Sequence, residues 1–362
     1  MATRATNAAP QHTVQGGRPA ARQRSFNPCA SIVARGEERD VLVVTRFDAA
    51  DAAPTAAEEC TRDERGHFVG HYGPFQLRTA YQPIFRVGRR TAETYGFEGL
   101  IRVVAANGKR LPPDRFFPLI RGGDRFEVEN LCRDLHLRNM ARFTEVPAVL
   151  FANFDPSVFG ERGRTRMEVA RMERLAGEIG IPSDRIVCEI TEKRALSPDA
   201  LHHLVDCLRG AGYRIALDDY GADESDADRI ESIAPDIVKF DAGWIKRLLE
   251  TPAGYNLLAS MVNQFHDRGI ETLFEGLEER WQLELAEEMG VVYAQGFVLA
   301  RPELAPANFA EFFVTDASDA FKMSDVPLPR SMRTIETGTR LFENEEQYGG
   351  DVLAQLRAVG GR

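Results

Sequence analysis

Tyr213-Arg214-Ile215-Ala216-Leu217-Asp218-Asp219-Tyr220-Gly221 begins as an apolar run and ends in two adjacent carboxylates, an aromatic and a glycine. An apolar run of strand length followed by acids reads as a buried parallel strand that delivers charge to the open end of a sheet. Neighbouring carboxylates repel unless a cation sits between them, so Asp218 and Asp219 suggest a metal site. An ordinary loop start, where aspartate is common, is the alternative. The rest of the chain decides between them.

Seven further runs of strand length surround this one, so that the set is 77–85, 94–102, 148–154, 185–190, 214–218, 236–240, 271–275 and 291–297. Amphipathic stretches separate most of them: 128–143, 201–208, 244–265 and 281–289 carry apolar residues at helical spacing, and Gly180, Gly212, Gly269 and Gly290 fall where helices should end. Strands alternating with helices predict an α/β fold with a mostly parallel sheet, and eight of them in roughly 235 residues fit a modified TIM (β/α)8 barrel. The first two runs are separated by too few residues for a helical crossover. They should pair as an antiparallel hairpin, which makes the first strand antiparallel. The expected organisation is a largely disordered N-terminal tail over 1–74, a barrel domain over 75–313 and a short C-terminal extension over 314–362. Within the tail only 41–47 looks strand-like, and within the extension 351–359 could form a short amphipathic helix.

From the second run onward, each run carries a polar residue near, at or just past its end. In order these are Glu98, Asn153, Glu189, Asp218 with Asp219, Lys239, Glu275 and Gln295. In a barrel such positions converge on one face, where barrel active sites lie. Any one of them has a bland explanation as a strand-end cap, but the whole set on otherwise apolar runs does not. Buried charges of one sign need a compensating cation. The all-oxygen set suits Mg²⁺ or Mn²⁺ rather than zinc. Lys239 among them is available to orient or polarise a water.

Composition sets the bounds. The 362 residues are 43% hydrophobic and 28% charged, as in an ordinary soluble globular protein, and carry a net charge of −10, which argues against broad binding to a nucleic-acid polymer. No run has the length of a membrane helix, and the N-terminus does not read as a secretory signal. The five cysteines, Cys29, Cys60, Cys132, Cys188 and Cys207, are scattered without a Cys-x-x-Cys pair, so a cytoplasmic, reduced protein is the simplest expectation.

These residues resemble the EAL domain, a family that hydrolyses the bacterial second messenger cyclic di-GMP. Tyr81-Gln82-Pro83-Ile84 resembles its opening strand, and Glu98-Gly99-Leu100-Ile101-Arg102 its Glu-Ala-Leu-x-Arg signature. Phe151-Ala152-Asn153, Glu189-Ile190-Thr191-Glu192, Asp218-Asp219-Tyr220-Gly221, Lys239-Phe240-Asp241, Glu275-Gly276-Leu277-Glu278 and Gln295-Gly296-Phe297 follow in family order, and Arg301-Pro302 closes the series. The resemblance implies a two-ion Mg²⁺ or Mn²⁺ phosphodiesterase that converts cyclic di-GMP to linear pGpG. In it Glu98, Asn153, Glu189 and Asp218 would hold one ion. Asp218 would bridge to the second, completed by Asp219, and Lys239 would contact the attacking water. Glu275 and Gln295 would orient waters or the metal shell, with Glu192, Asp241 and Glu278 as supporting acids. Gln82, Leu100, Arg102 and Gln295 would contact the dinucleotide, Arg102 through a phosphate oxygen. A homodimer is also implied, and a protein regulator could act through the tails.

Three positions depart from the family pattern. Gly99 replaces alanine, a mild change between small residues. Asp155 stands where a small hydroxyl residue is usual, close to the first metal position. After Gly221 the chain continues Ala222-Asp223-Glu224-Ser225-Asp226 instead of a glycine-containing loop, so weak or regulated activity is expected. The alternative is a catalytically weak or inactive cyclic di-GMP receptor or protein-interaction module. Another metal-dependent phosphoesterase on the same barrel is a third reading. Arg121-Gly122-Gly123-Asp124-Arg125-Phe126 reads as a helix-entry loop, His266-Asp267 as a helix end, His202 and His203 as helix surface, and the acidic runs 223–228 and 343–346 as solvated chain.

Overall fold

The computed structural model describes residues 58–89, 91–141, 148–191, 197–221, 226–305 and 321–322. The strand-like 41–47, the helical 351–359, the acidic run 343–346, Glu192 and the loop 222–225 lie outside the described residues.

The strands are β1 (Glu58–Arg62), β2 (Phe68–Tyr72), β3 (Phe75–Gly88), β4 (Thr91–Ala105), β5 (Arg110–Leu111), β6 (Val149–Phe154), β7 (Ile186–Ile190), β8 (Arg214–Tyr220), β9 (Ile237–Phe240), β10 (Glu271–Phe274), β11 (Tyr293–Ala294) and β12 (Glu303–Leu304). All eight strand runs read from the sequence are present. Eight strands close a ring in the order β3-β11-β10-β9-β8-β7-β6-β4, with β3 and β4 paired to complete it. Only β3 is inverted: it runs antiparallel to both β4 and β11, while every other neighbouring pair in the ring is parallel. The antiparallel first strand follows from its short link to β4, which cannot hold a crossover helix.

The helices are α1 (Pro113–Phe116), α2 (Arg125–Met140), α3 (Arg162–Ile179), α4 (Pro198–Gly210), α5 (Asp226–Ile233), α6 (Ala242–Leu249), α7 (Pro252–Asp267) and α8 (Arg280–Met289). They cover the outside of the barrel and pack Leu137, Met172, Leu204, Leu258 and Leu283 on the outward faces of the strands. Gly180 and Gly290 end α3 and α8 in left-handed conformations with φ near 76° and 77°, as glycine punctuation predicts. The helical stretch 244–265 is two helices rather than one. Thr251 accepts from the Gly254 amide at 3.1 Å and Pro252 starts α7, so the chain restarts instead of continuing. Gly122–Asp124 forms a 3-10 turn leading into α2, which agrees with its reading as a helix entry.

Described structure reaches further toward the N-terminus than the expected boundary at 75. β1 and β2 form a hairpin, and β2 pairs with the end of β3 that projects beyond the barrel. Their turn is closed by Asp63, whose Oδ1 accepts from the Arg65 and His67 amides at 3.0 and 2.9 Å, with Gly66 at positive φ. β1 is charged and β2 is only five residues long, so both owe their order to pairing.

One histidine is built into the packing of α2 against the hairpin. His136 is 4% exposed, its Nδ1 lies 3.1 Å from Thr79 Oγ1, and its carbonyl accepts from Tyr81 Oη. Burial, reinforced by the charges of Arg133 and Arg102, pushes its imidazole down to about 3. The unfolded imidazole takes a proton below about 6.5, whereas the folded one stays neutral, so stability is complete above that pH and falls as pH drops toward 3. Urea unfolding at pH 7 and pH 5 should show the wild type losing about 2 kcal/mol more than His136→Asn over that interval. Equal losses would contradict the buried neutral state.

Candidate active site

Strand period builds the site. Ile84, Val149, Phe151, Val187, Ala216, Ile237, Leu273 and Tyr293 are all nearly inaccessible and fill the barrel as one apolar cluster. Side chains two residues apart share a strand face. The next inward position is therefore Asn153 above Phe151, Glu189 above Val187 and Asp218 above Ala216. It is Lys239 above Ile237, Glu275 above Leu273 and Gln295 above Tyr293. On the inverted β3 the same step leads from Ile84 to Gln82, which pairs in register with Glu98 on β4. An apolar plug thus carries a polar layer at the C-terminal mouth.

The centre of that layer is the Lys239 ammonium. Its Nζ lies 2.6 Å from Glu189 Oε1, 2.6 Å from Glu275 Oε1, 2.7 Å from Asp218 Oδ1 and 4.0 Å from Glu98 Oε1. Burial alone would lower the lysine, but Asp218, Glu189, Glu275 and Glu98 together hold it well above its ordinary range. Burial also raises Glu189 and Glu275 despite the ammonium, because one cation cannot compensate four carboxylates. Both Glu189 oxygens and Glu275 Oε1 are buried without a hydrogen bond of good direction, so their contacts with Lys239 are ionic and their lone pairs are open to a further cation. Gln295 Nε2 donates to Glu98 Oε2 at 2.9 Å and fixes that carboxylate.

Asp219 is delivered by a distortion of β8. The pairing of β8 with β9 shifts register between Leu217 and Tyr220, so the two aspartates occupy a bulge that turns both toward the mouth. Asp219 has φ of 53°, a conformation costly for a residue other than glycine. Gly221 follows at φ 99°, and a Cβ there would lie 2.2 Å from the Trp244 ring. Carboxylate oxygens of Asp218, Asp219 and Glu275 come within 4.8 Å of one another. With Glu98, Asn153 and Glu189 beside them, this all-oxygen donor set suits hard divalent cations.

Several sequence expectations come out differently. Asp155 does not face the layer: it caps the turn Pro156–Val158 through the Ser157 amide and pairs with Arg125 on α2. Asp241 caps α6 by accepting from the Trp244 amide at 2.7 Å. The Glu278 side chain is exposed, and its backbone amide donates to Gln282. Gly99 is no mild replacement, because a Cβ there would lie 2.7 Å from the buried His136 ring. Leu100 and Arg102 continue the Glu98 face up β4, with Arg102 half-buried and donating to the Ile101 carbonyl at 3.0 Å.

One support lies behind the site and carried no motif. Arg133 on α2 is 2% exposed, sits 4.4 Å over the Phe154 ring, contacts Glu168 and donates to the Asn153 carbonyl at 3.4 Å. It holds from outside the strand segment that presents Asn153 inside. A charged residue amid the apolar positions of α2 was the available signal.

Removing the central cation tests the electrostatic reading. In chelator, Lys239→Met should destabilise the protein by about 3–5 kcal/mol in urea unfolding, since it leaves the acids without their counter-charge. Unchanged stability would show that the acids do not depend on it.

The family model of the EAL domain matches residues 75–302. Curated relatives include the probable cyclic di-GMP phosphodiesterase PdeA of Escherichia coli, 24% identical over 59% of this chain and 29% of its own length. The cyclic di-GMP phosphodiesterase RocR of Pseudomonas aeruginosa is 26% identical over 73% of this chain and 67% of its own length. The chain thus spans under a third of the first of these relatives. Among solved structures, the cyclic di-GMP-bound form of a standalone EAL protein from Vibrio cholerae superposes with a TM-score of 0.56 at 24% identity, covering 66% of this chain and 98% of that one. With its model matched across more than half of the sequence and its barrel shared, this chain belongs to the EAL domain family.

Proposed function

We propose that this chain hydrolyses cyclic di-GMP to linear pGpG with the help of Mg²⁺ or Mn²⁺, two ions per site. The observation that carries this reading is the layer of Glu98, Asn153, Glu189, Asp218, Asp219, Glu275 and Gln295 around Lys239. Family membership and relatives named as cyclic di-GMP phosphodiesterases support it.

Glu98, Asn153, Glu189 and Asp218 would hold one ion, and Asp218 with Asp219 the other. Bound divalent ions supply Lewis acidity toward the phosphate and lower the pKa of water. Asn153 would contribute a neutral ligand oxygen, so the donor set is not purely anionic. Lys239, placed between Asp218 and Glu275, orients the attacking water by donating to its oxygen. Glu275, whose carboxyl burial raises, is suited to accept the proton that water gives up. The water oxygen bonds to phosphorus, the bond from phosphorus to a ribose 3′ oxygen breaks, that oxygen takes up a proton from solvent, and the product keeps a 5′-phosphate. Gln82, Leu100 and Arg102 line the hairpin wall of the same mouth and would position the dinucleotide. No described helix is long and apolar enough to cross a membrane.

Incubation of purified protein with cyclic di-GMP and Mn²⁺ or Mg²⁺, followed by chromatography, should yield pGpG, and Glu98→Gln should abolish it. Folded protein that yields no pGpG with either ion would contradict the proposal.

A further inference from the structure

Bound ions would offset the negative charge of the acidic layer where the reacting phosphate sits, but a dianionic substrate carries a second phosphate that calls for positive charge of its own. Beyond the barrel, β3 and β4 continue as a hairpin, and β5 adds a third strand to its far edge. In this register Gln82 faces Glu98, Ala80 faces Leu100, Arg78 faces Arg102 and Gln76 faces Val104. Residues directly opposite on an antiparallel pair share one face, with Cβ atoms about 5 Å apart. The burial pattern agrees: Leu77, Thr79, Tyr81, Ile101 and Val103 are buried on the side of α2, while Arg78, Leu100 and Arg102 are only partly covered on the other. Arg110 on β5 pairs with Val104, so it joins the same face diagonally from Arg102, while its neighbour Leu111 is buried on the opposite one. Three arginines on three adjacent strands are therefore set in a row by the register, beyond the carboxylate layer.

The two outer members have different surroundings. Arg78 is held in place: its Nε donates to Gln76 at 2.8 Å and its Nη2 lies 3.5 Å from Asp63 on the β1–β2 turn, with the side chain 34% exposed. The hairpin of β1 and β2, which precedes the matched family region, thus supplies the carboxylate that orients it. Arg110 is exposed and has no carboxylate partner among the described residues. Its charge is felt at half-buried Arg102, where burial and Arg110 lower the guanidinium against the pull of Glu98. Like charges set side by side at a mouth are unfavourable without an anion between them.

We propose that Arg78 and Arg110 flank Arg102 to form a receptor for the second, non-reacting phosphate of the cyclic dinucleotide. This rests on the function proposed above. It assigns the two phosphates to different parts of the mouth. The reacting one goes to the carboxylate layer and its ions, and the other to the arginine row on the hairpin. Guanidinium suits this task because its planar donors match phosphate oxygens. The row is a specificity device, since a ligand with one phosphate can use the acidic centre but leaves the row empty.

The test is equilibrium titration of the full chain with Ca²⁺ as the divalent ion and chromatography to verify that no turnover occurs. The ligands are cyclic di-GMP, with two phosphates, and linear GpG, with one. Arg110→Ala and Arg78→Ala should each raise the Kd for cyclic di-GMP by about tenfold, as expected for a lost charge-assisted contact, and change the Kd for GpG by less than about twofold. Arg174→Ala, an exposed arginine of α3, should change neither. Melting curves check folding, and Arg110, whose side chain has no carboxylate partner among the described residues, keeps the test valid where Arg78→Ala unfolds. Unchanged cyclic di-GMP binding, or equal weakening of both ligands, would overturn the row as a receptor. Wild-type protein that binds neither ligand would overturn the functional reading itself, and this inference with it.

Discussion

Everything at the mouth of this barrel depends on how one ammonium is shared. Lys239 lies within 2.7 Å of three carboxylates and 4.0 Å of a fourth, on top of an apolar plug that offers no other compensation. One positive charge among four negative ones leaves the layer strongly anionic, and burial makes that imbalance costly. The same imbalance is the ground for the proposal that the layer takes up divalent cations. Fold and chemistry are thus joined: strand alternation that packs the plug also forces the polar positions inward one step higher.

That alternation explains why so much was legible in the sequence. A parallel strand buried on both faces reads as an unbroken apolar run, and a polar residue at its end stands out against it. Glu189 after Val187 and Lys239 after Ile237 were visible for this reason. The inverted first strand was also readable, because the link between β3 and β4 is too short for a helix.

What was not legible depends on contacts between distant residues. Gly99 looks interchangeable with alanine until α2 places His136 against it. Asp155 and Asp241 sit inside motif-like strings, yet their carboxylates cap turns and helices, a choice made by local backbone direction. β1 is charged and β2 is too short to announce itself, and the two are ordered by pairing with each other and, through β2, with the projecting end of β3. The arginine row appears only once the register sets Arg78 opposite Arg102 and Arg110 beside Val104. The strained backbone of Asp219 is a further feature of this kind, since nothing in an Asp-Asp pair announces a positive φ.

The central claim is that the inward polar layer is a binding site for divalent ions that face a cyclic dinucleotide. Anomalous scattering from crystals grown with Mn²⁺ and cyclic di-GMP tests it most directly. Two Mn²⁺ peaks are predicted, one among Glu98, Asn153, Glu189 and Asp218 and one at Asp218 and Asp219, with a phosphate of the ligand against them. Peaks elsewhere, or a dinucleotide bound away from this layer, would contradict the account.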